Sequence, residues 1–305
     1  MTRRGWLLFI AMSLIWGIPY LFIKIAVREL DPVVVVCARA MIGAAVLLPL
    51  AASQQMLRPL LRHWRMLVLF SLIHMAGSFV LITYGEQHVS SSLASLLIAA
   101  NPLLVALLAQ GFQKSERING PRLGGLLLGF VGLIVLLGFD VGGDGQQWLG
   151  AALLLTAALG YAISALLLKR QPLADLPRQG IAAAECSVTT LVLLPVALSR
   201  LPGKVPSPEA IGSLLVLGLI CTALALPIFF ALIKEVGASR GTVISYVNPA
   251  VSVALGVIVL GEPLTIATVA GFLLIIAGSW LSTTGSIPFK LMRRAAKPEA
   301  PTTSA

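Results

Sequence analysis

The stretch Ser95–Gln110, SLLIAANPLLVALLAQ, puts Asn101 and Pro102 in the middle of an apolar run. Proline removes a backbone donor and bends or breaks a helix. Asparagine brings four hydrogen-bonding sites that hydrocarbon cannot satisfy. The same dipeptide returns at Asn248–Pro249 within TVISYVNPAVSVALG (242–256), 147 residues later. A costly feature that occurs twice at a long spacing points to a duplicated structure in which both copies have a use.

The rest of the chain supports that reading. Of its 305 residues, 58% are hydrophobic and 11% charged, and the mean hydropathy is +0.95. A soluble domain carries about 25% charged residues. Ten runs reach the roughly 20 apolar residues that a membrane-spanning helix needs: 6–27, 33–52, 66–85, 91–112, 121–139, 148–168, 180–199, 210–232, 241–260 and 264–284. Continuous apolar runs exclude a membrane β-barrel, whose strands alternate. The opening MTRRGWLLFIAM has the charge of a signal peptide, but its run is too long and lacks a cleavage site, so it reads as a retained first span.

The net charge of +10 resembles a nucleic-acid footprint until it is mapped onto the spans. With sides alternating, seventeen of the 22 basic residues fall on one face. Arg28, Arg200 and Lys204 fall on the other, and Lys24 and Arg39 lie inside spans. This is the positive-inside pattern. It places both termini in the cytoplasm, calls for an even number of spans and implies no nucleic-acid partner. Residues 285–305 form a basic tail expected to be disordered at the inner leaflet.

Further anchors match between the two copies. Val89 falls over Val236, Ser92 over Ser239, Glu116 over Glu262, Gly125 over Gly271, Gly132 over Gly278 and Gly17 over Gly160, while VLLPL (46–50) falls over VLLPV (192–196). Their offsets run from 143 to 147 residues. Five spans is an odd number, so the second copy is inverted relative to the first. The expected fold is therefore an all-α membrane protein of ten transmembrane helices in two inverted five-helix repeats, the architecture of alternating-access carriers. In this reading each Asn-Pro pair interrupts a helix near the midplane, with the freed groups facing a polar cavity. The competing reading is that the pairs only aid helix packing.

At this point the chain resembles the EamA-type transporters of the drug/metabolite transporter superfamily. The resemblance is carried by WGIPYLFIK (Trp16–Lys24), the stretch Pro32–Arg39, the two Asn-Pro pairs followed by Glu116 or GEP (261–263), and the Gly-rich fifth and tenth helices. It implies one EamA-like repeat in 6–140 (helices 1–5), a second in 148–284 (helices 6–10), and a substrate cavity between them. It also implies export of a small metabolite, often an amino acid and sometimes by proton exchange. The second copy departs from the pattern: it lacks the Trp-Gly pair, and Glu185 stands where Arg39 would be.

Ionisable groups inside a bilayer are costly and few here. Lys24 either snorkels to the interface or takes part in transport. Arg39 either clamps a substrate carboxylate in a bidentate pair or has an internal partner. Glu185 is the proton-coupling candidate; otherwise it is a carboxylate satisfied near the interface. A direct Arg39–Glu185 bridge is not expected, since depth counted from the ends of the runs separates them by more than about 10 Å. His74 is either a neutral hydrogen-bonded core histidine or a substrate or proton contact. Trp16, Tyr20, Tyr161 and Tyr246 are candidate cavity walls with polar tips, as against buried packing aromatics. With Asn101 and Asn248 they complete the candidate substrate-binding set, and Pro102 and Pro249 are the expected helix breaks. Gly125-x-x-x-Gly129 suits close packing of helices five and ten, or a dimer contact.

Cys37, Cys186 and Cys221 lie in spans without metal spacing and read as inert thiols. There is no His-Glu-x-x-His, no paired intramembrane aspartates and no phosphate-cradling loop. The reading is thus of no enzyme, no catalytic residue, no metal and no cofactor. The expected partners are a small-molecule substrate, the lipid bilayer and protons, in a monomer or weak dimer at the inner (plasma) membrane. Import, a membrane-embedded enzyme and a non-transporting scaffold are the competing functions.

Overall fold

The computed structural model describes residues 2–112, 120–140, 145–237 and 243–284. They form ten apolar helical segments and, among the described residues, no strand. These are α1 (Arg3–Ala26), α2 (Pro32–Ser53), α3 (Trp64–His88), α4 (Ser91–Ile98 and Asn101–Phe112), α5 (Gly120–Asp140), α6 (Gly145–Leu167), α7 (Arg178–Ser199), α8 (Pro208–Val236), α9 (Ile244–Leu260) and α10 (Ile266–Thr284). All but α9 are long and apolar enough to cross a membrane, and the five residues before Val243 lie outside the described ones. The tail expected at 285–305 also lies outside the described residues.

Local chemistry starts the helices where the sequence supplies caps. Thr2, Asp31, Ser90 and Ser207 each accept a hydrogen bond from a backbone N–H in the first turn of α1, α2, α4 and α8, at 2.8–3.2 Å. Pro32 and Pro208 follow two of these caps, at a position that needs no N–H. The outer surface of the bundle carries large apolar side chains such as Ile134, Leu191 and Ile258, a pattern suited to lipid rather than water.

The fold is an all-α membrane protein of two inverted five-helix repeats, α1–α5 and α6–α10. Packing follows the duplication. α1 lies against α8 and α9, and α6 lies against α3 and α4, so each half's first helix packs in the other half's group. Gly17 and Gly160 mark both contacts: a β-carbon at Gly17 would collide with Val251 of α9, and one at Gly160 with Ser78 of α3. The remaining helices pair with their own counterparts, α2 with α7 and α5 with α10.

The α5–α10 contact is a run of glycines. A β-carbon at Gly278 would overlap the Gly129 backbone nitrogen, one at Gly125 the Ser282 nitrogen, and one at Gly132 would stand 2.9 Å from the Gly271 carbonyl oxygen. The Gly125-x-x-x-Gly129 motif therefore serves close approach within the chain. Because backbone cannot yield as a side-chain tip can, Gly278→Ala should lower stability by about 1–3 kcal/mol. Gly124→Ala, with nothing within 4 Å, should be neutral. Thermal unfolding of the two purified variants in one detergent checks the contrast.

Candidate functional site

A cavity of about 500 Å³ lies between the halves, lined by residues of α1–α4 and α6–α9. That volume is within the range of small-molecule sites. Its walls reach Ala182 near the start of α7, Ser245 near the start of α9 and Leu168 just past the end of α6. All three positions lie toward the face at which α1 begins, here called the terminal face. Toward the opposite face the lining among the described residues ends at Ile23, Ile82 and Ser95, inside α1, α3 and α4. Among the described residues the cavity thus extends to the terminal face, where Ser245 is exposed, and is covered at the other, where Ile23, Ile82 and Ser95 are buried.

Two charged groups enter it, one from each half. On α2, Arg39 donates from Nε to Thr222 Oγ1 of α8 at 2.9 Å, and its guanidinium lies 4.3 Å from the centroid of the Phe79 ring. On α7, Glu185 Oε1 lies 2.6 Å from His74 Nδ1 of α3. The two arrangements are equivalent under the duplication: Arg39 and Glu185 are matched positions, and Thr222 follows His74 by 148 residues. In both cases a helix of one half meets the third helix of the other. Both partner residues also sit in π-helical turns, Leu72–Gly77 in α3 and Val216–Leu224 in α8. Such turns rotate side chains out of α-helical register and concentrate at functional sites.

Aromatic rings join the two charges. Tyr161 meets Phe79 edge-on at 6.2 Å and lies 5.3 Å from His74, which stacks on Phe70 at 5.3 Å. Among the described residues no carboxylate forms an ion pair with Arg39. Its hydroxyl and ring partners leave guanidinium donors available to an anion in the cavity.

Contacts between α2 and α7 correct the expected depth of this pair. Cys37 Sγ lies 3.9 Å from the Thr190 carbonyl oxygen, and a β-carbon at Gly43 would stand 3.0 Å from Cys186 Sγ. This antiparallel register sets Glu185 beside residue 43, four positions from Arg39, or about 6 Å along the helices. Counting inward from the ends of the hydropathy runs overestimates the separation because it ignores where α2 and α7 cross. The structure still forms no direct Arg39–Glu185 bridge.

Trp16, Tyr20, Arg39, His74, Asn101, Pro102, Tyr161, Glu185, Asn248 and Pro249 all line the cavity. Asn101 Oδ1 and Asn248 Oδ1 are buried without a protein hydrogen-bond partner, a matched pair of uncompensated acceptors. Tyr246 does not line the cavity. Two residues from Asn248 it points about 200° away around the helix, its ring 6.0 Å from Trp280 and its hydroxyl 3.4 Å from Thr283 Oγ1. Nor does Pro249 break its helix. α4 is interrupted after Ile98, but α9 continues from Ile244 through Pro249 to Leu260. A proline deletes only the bond to the carbonyl four residues back, here that of Ser245, in the first turn of α9 and on the cavity wall. Lys24 donates to the carbonyls of Glu86 and Val89 at 2.5 and 2.6 Å, closing the end of α3. Sequence reading missed Thr222 and Phe79; only the third-helix match to His74 would have found Thr222.

The family model of the EamA-like transporter family matches residues 3–138 and again 148–284. The chain belongs to the EamA-like transporter family. Similar proteins include the Bacillus subtilis "Uncharacterized transporter YoaV", 26% identical over 277 residues covering 90% of this chain and 94% of that one. The Salmonella typhimurium "Probable amino-acid metabolite efflux pump" is 26% identical over 305 residues, covering 97% and 99%. The Escherichia coli "Uncharacterized inner membrane transporter YedA" is 27% identical, covering 84% and 82%. A solved protein crystal structure matches 97% of this chain and all of its own at 20% identity and a TM-score of 0.66, a likeness of fold.

The His74–Glu185 contact should be energetically coupled. His74→Phe leaves a largely buried carboxyl without its partner and should cost about 1–3 kcal/mol. Adding Glu185→Leu should recover at least about 1 kcal/mol. A double-mutant cycle on thermal unfolding checks this; strict additivity would show that the contact contributes nothing.

Proposed function

We propose that this EamA-family membrane protein is a secondary carrier of the inner membrane that exports a small metabolite, most directly amino acids or related compounds. The observation that carries the reading is the cavity between the halves, with Arg39 and Glu185 facing it from matched positions. Arg39 supplies forked donors for a substrate carboxylate. Asn101 and Asn248 supply polar contacts from both halves, and Trp16, Tyr20, Phe79 and Tyr161 supply apolar walls. Glu185, hydrogen-bonded to His74, is the group we assign to proton exchange. Transport proceeds by alternating access, as the two inverted halves rock about the cavity and exchange its open face.

The basic residues concentrated on the terminal face support a cytoplasmic position for both termini. The cavity in this structure then faces inward, ready to load a cytoplasmic solute. The name of the Salmonella relative, an efflux pump, supports the direction. The protein acts as a monomer or weak dimer, and the site calls for transport rather than catalysis.

Cells overproducing the chain should raise one class of amino acid or amine in the medium, measured by mass spectrometry. Arg39→Leu and Asn101→Leu, at equal membrane levels, should each reduce that rise at least about tenfold, the cost of about 1.4 kcal/mol of lost interaction. In proteoliposomes, Glu185→Gln should remove the response to a pH gradient. A Glu185→Gln variant with full pH-dependent transport would remove the proton assignment, and a solute depleted from the medium would reverse the direction.

A further inference from the structure

The closure of the cavity at the opposite face has an identifiable cause. α4 begins there at Ser91, and the α9–α10 loop places Glu262 directly against it. The Glu262 carboxylate accepts from Ser91 N at 2.7 Å, from Ser92 N at 3.0 Å and from Ser92 Oγ at 2.5 Å. These are charge-assisted bonds to the positive end of a helix. Ser90 meanwhile caps Leu93 N, so the first turn of α4 has its donors engaged.

The sequence around Glu262 is built for this contact. α9 ends at Gly261 with φ +67°, a left-handed turn that favours glycine, and Glu262 N donates to the Gly256 carbonyl at 3.0 Å. Gly256 then leaves the room. A β-carbon there would collide with Glu262 Oε2 and Ser92 Oγ and stand 3.0 Å from Ser91 Oγ.

The contact also crosses between the two moving groups. α9 packs with α1, which packs with α8, while α4 packs with α6; α4 and α9 meet each other along the seam between these groups. A second tie of the same kind lies beside it: Lys24 of α1 holds the carbonyls of Glu86 and Val89 at the end of α3. On the terminal face the Thr2 hydroxyl donates to Glu235 Oε1 at 2.6 Å, but that bond joins α1 to α8, within one group, and closes nothing. Glu116, the sequence counterpart of Glu262, lies outside the described residues.

We infer that Glu262 is a gate residue: its bonds to Ser91 and Ser92 latch the opposite face shut and hold the cavity open to the terminal face. Release of α4 from Glu262 is then the step that opens the exit. The inference takes its meaning from the carrier reading, but its test reads access to the cavity and not transport.

The reporter is Ile98→Cys, on the cavity wall, in a full-length chain with Cys37, Cys186 and Cys221 replaced by serine. A membrane-impermeant maleimide is added to one face at a time, and a C-terminal tag identifies the terminal face. The parent should label from the terminal face and scarcely from the opposite one. Glu262→Ala and, separately, Ser92→Ala should raise the opposite-face labelling rate about tenfold or more, since the first removes three charge-assisted bonds from the closed state and the second removes the shortest of them. Glu209→Ala, an exposed carboxylate near the start of α8, should change nothing. Opposite-face labelling that stays at the parental rate in both latch variants overturns the inference, as does a parent that labels equally from both faces. A chain that shows the latch but moves no solute would instead defeat the carrier reading.

Discussion

A charge in hydrocarbon must be given partners, and that constraint organises this molecule around the crossing of α2 and α7. Those two helices carry Arg39 and Glu185, the charged pair of the cavity. Neither is neutralised by the other. Each crosses to the opposite half for its contact, Arg39 to Thr222 on α8 and Glu185 to His74 on α3. Both contacts lie on the cavity wall between the halves, and the glycine-lined α5–α10 pair binds the halves together elsewhere.

Duplication followed by divergence accounts for the chemistry. One scaffold is used twice: a charged residue on the second helix of a half, and a partner in a π-helical turn on the third helix of the other. Inversion sends the two copies toward opposite faces. Arginine with threonine and a ring stands at one end, and glutamate with histidine stands at the other. A site of exact symmetry would offer the same chemistry in both directions. This one differs in chemistry between its two ends.

Much of the fold was legible in the sequence because hydropathy, short connections and the repeated Asn-Pro pairs report on lipid and on duplication directly. Ten spans, their inversion and the α5–α10 glycine contact followed from that. The site was legible only in part. Arg39, His74, Glu185 and both asparagines stand out because polar groups are rare in spans, and all line the cavity. Tyr246 lies off the cavity because proximity to Asn248 in sequence ignores a 100° turn per residue. Pro249 reads as a break in sequence because the sequence does not show how near it stands to the start of α9. Thr222 was missed because a threonine in an apolar helix is common, and a π-helical turn has no simple sequence signature. The depth of Glu185 depended on a helix crossing, which no one-dimensional count contains.

The register of that crossing is the central claim, and one cross-link tests it. In a chain with Cys37 and Cys221 changed to serine, Gly43→Cys introduces a β-carbon 3.0 Å from the native Cys186 Sγ, a separation a disulfide can span. Mild oxidation in membranes followed by peptide mass spectrometry should yield an intramolecular 43–186 link. An absent link, or a link formed only between two chains, would contradict the register that brings Arg39 and Glu185 into one cavity.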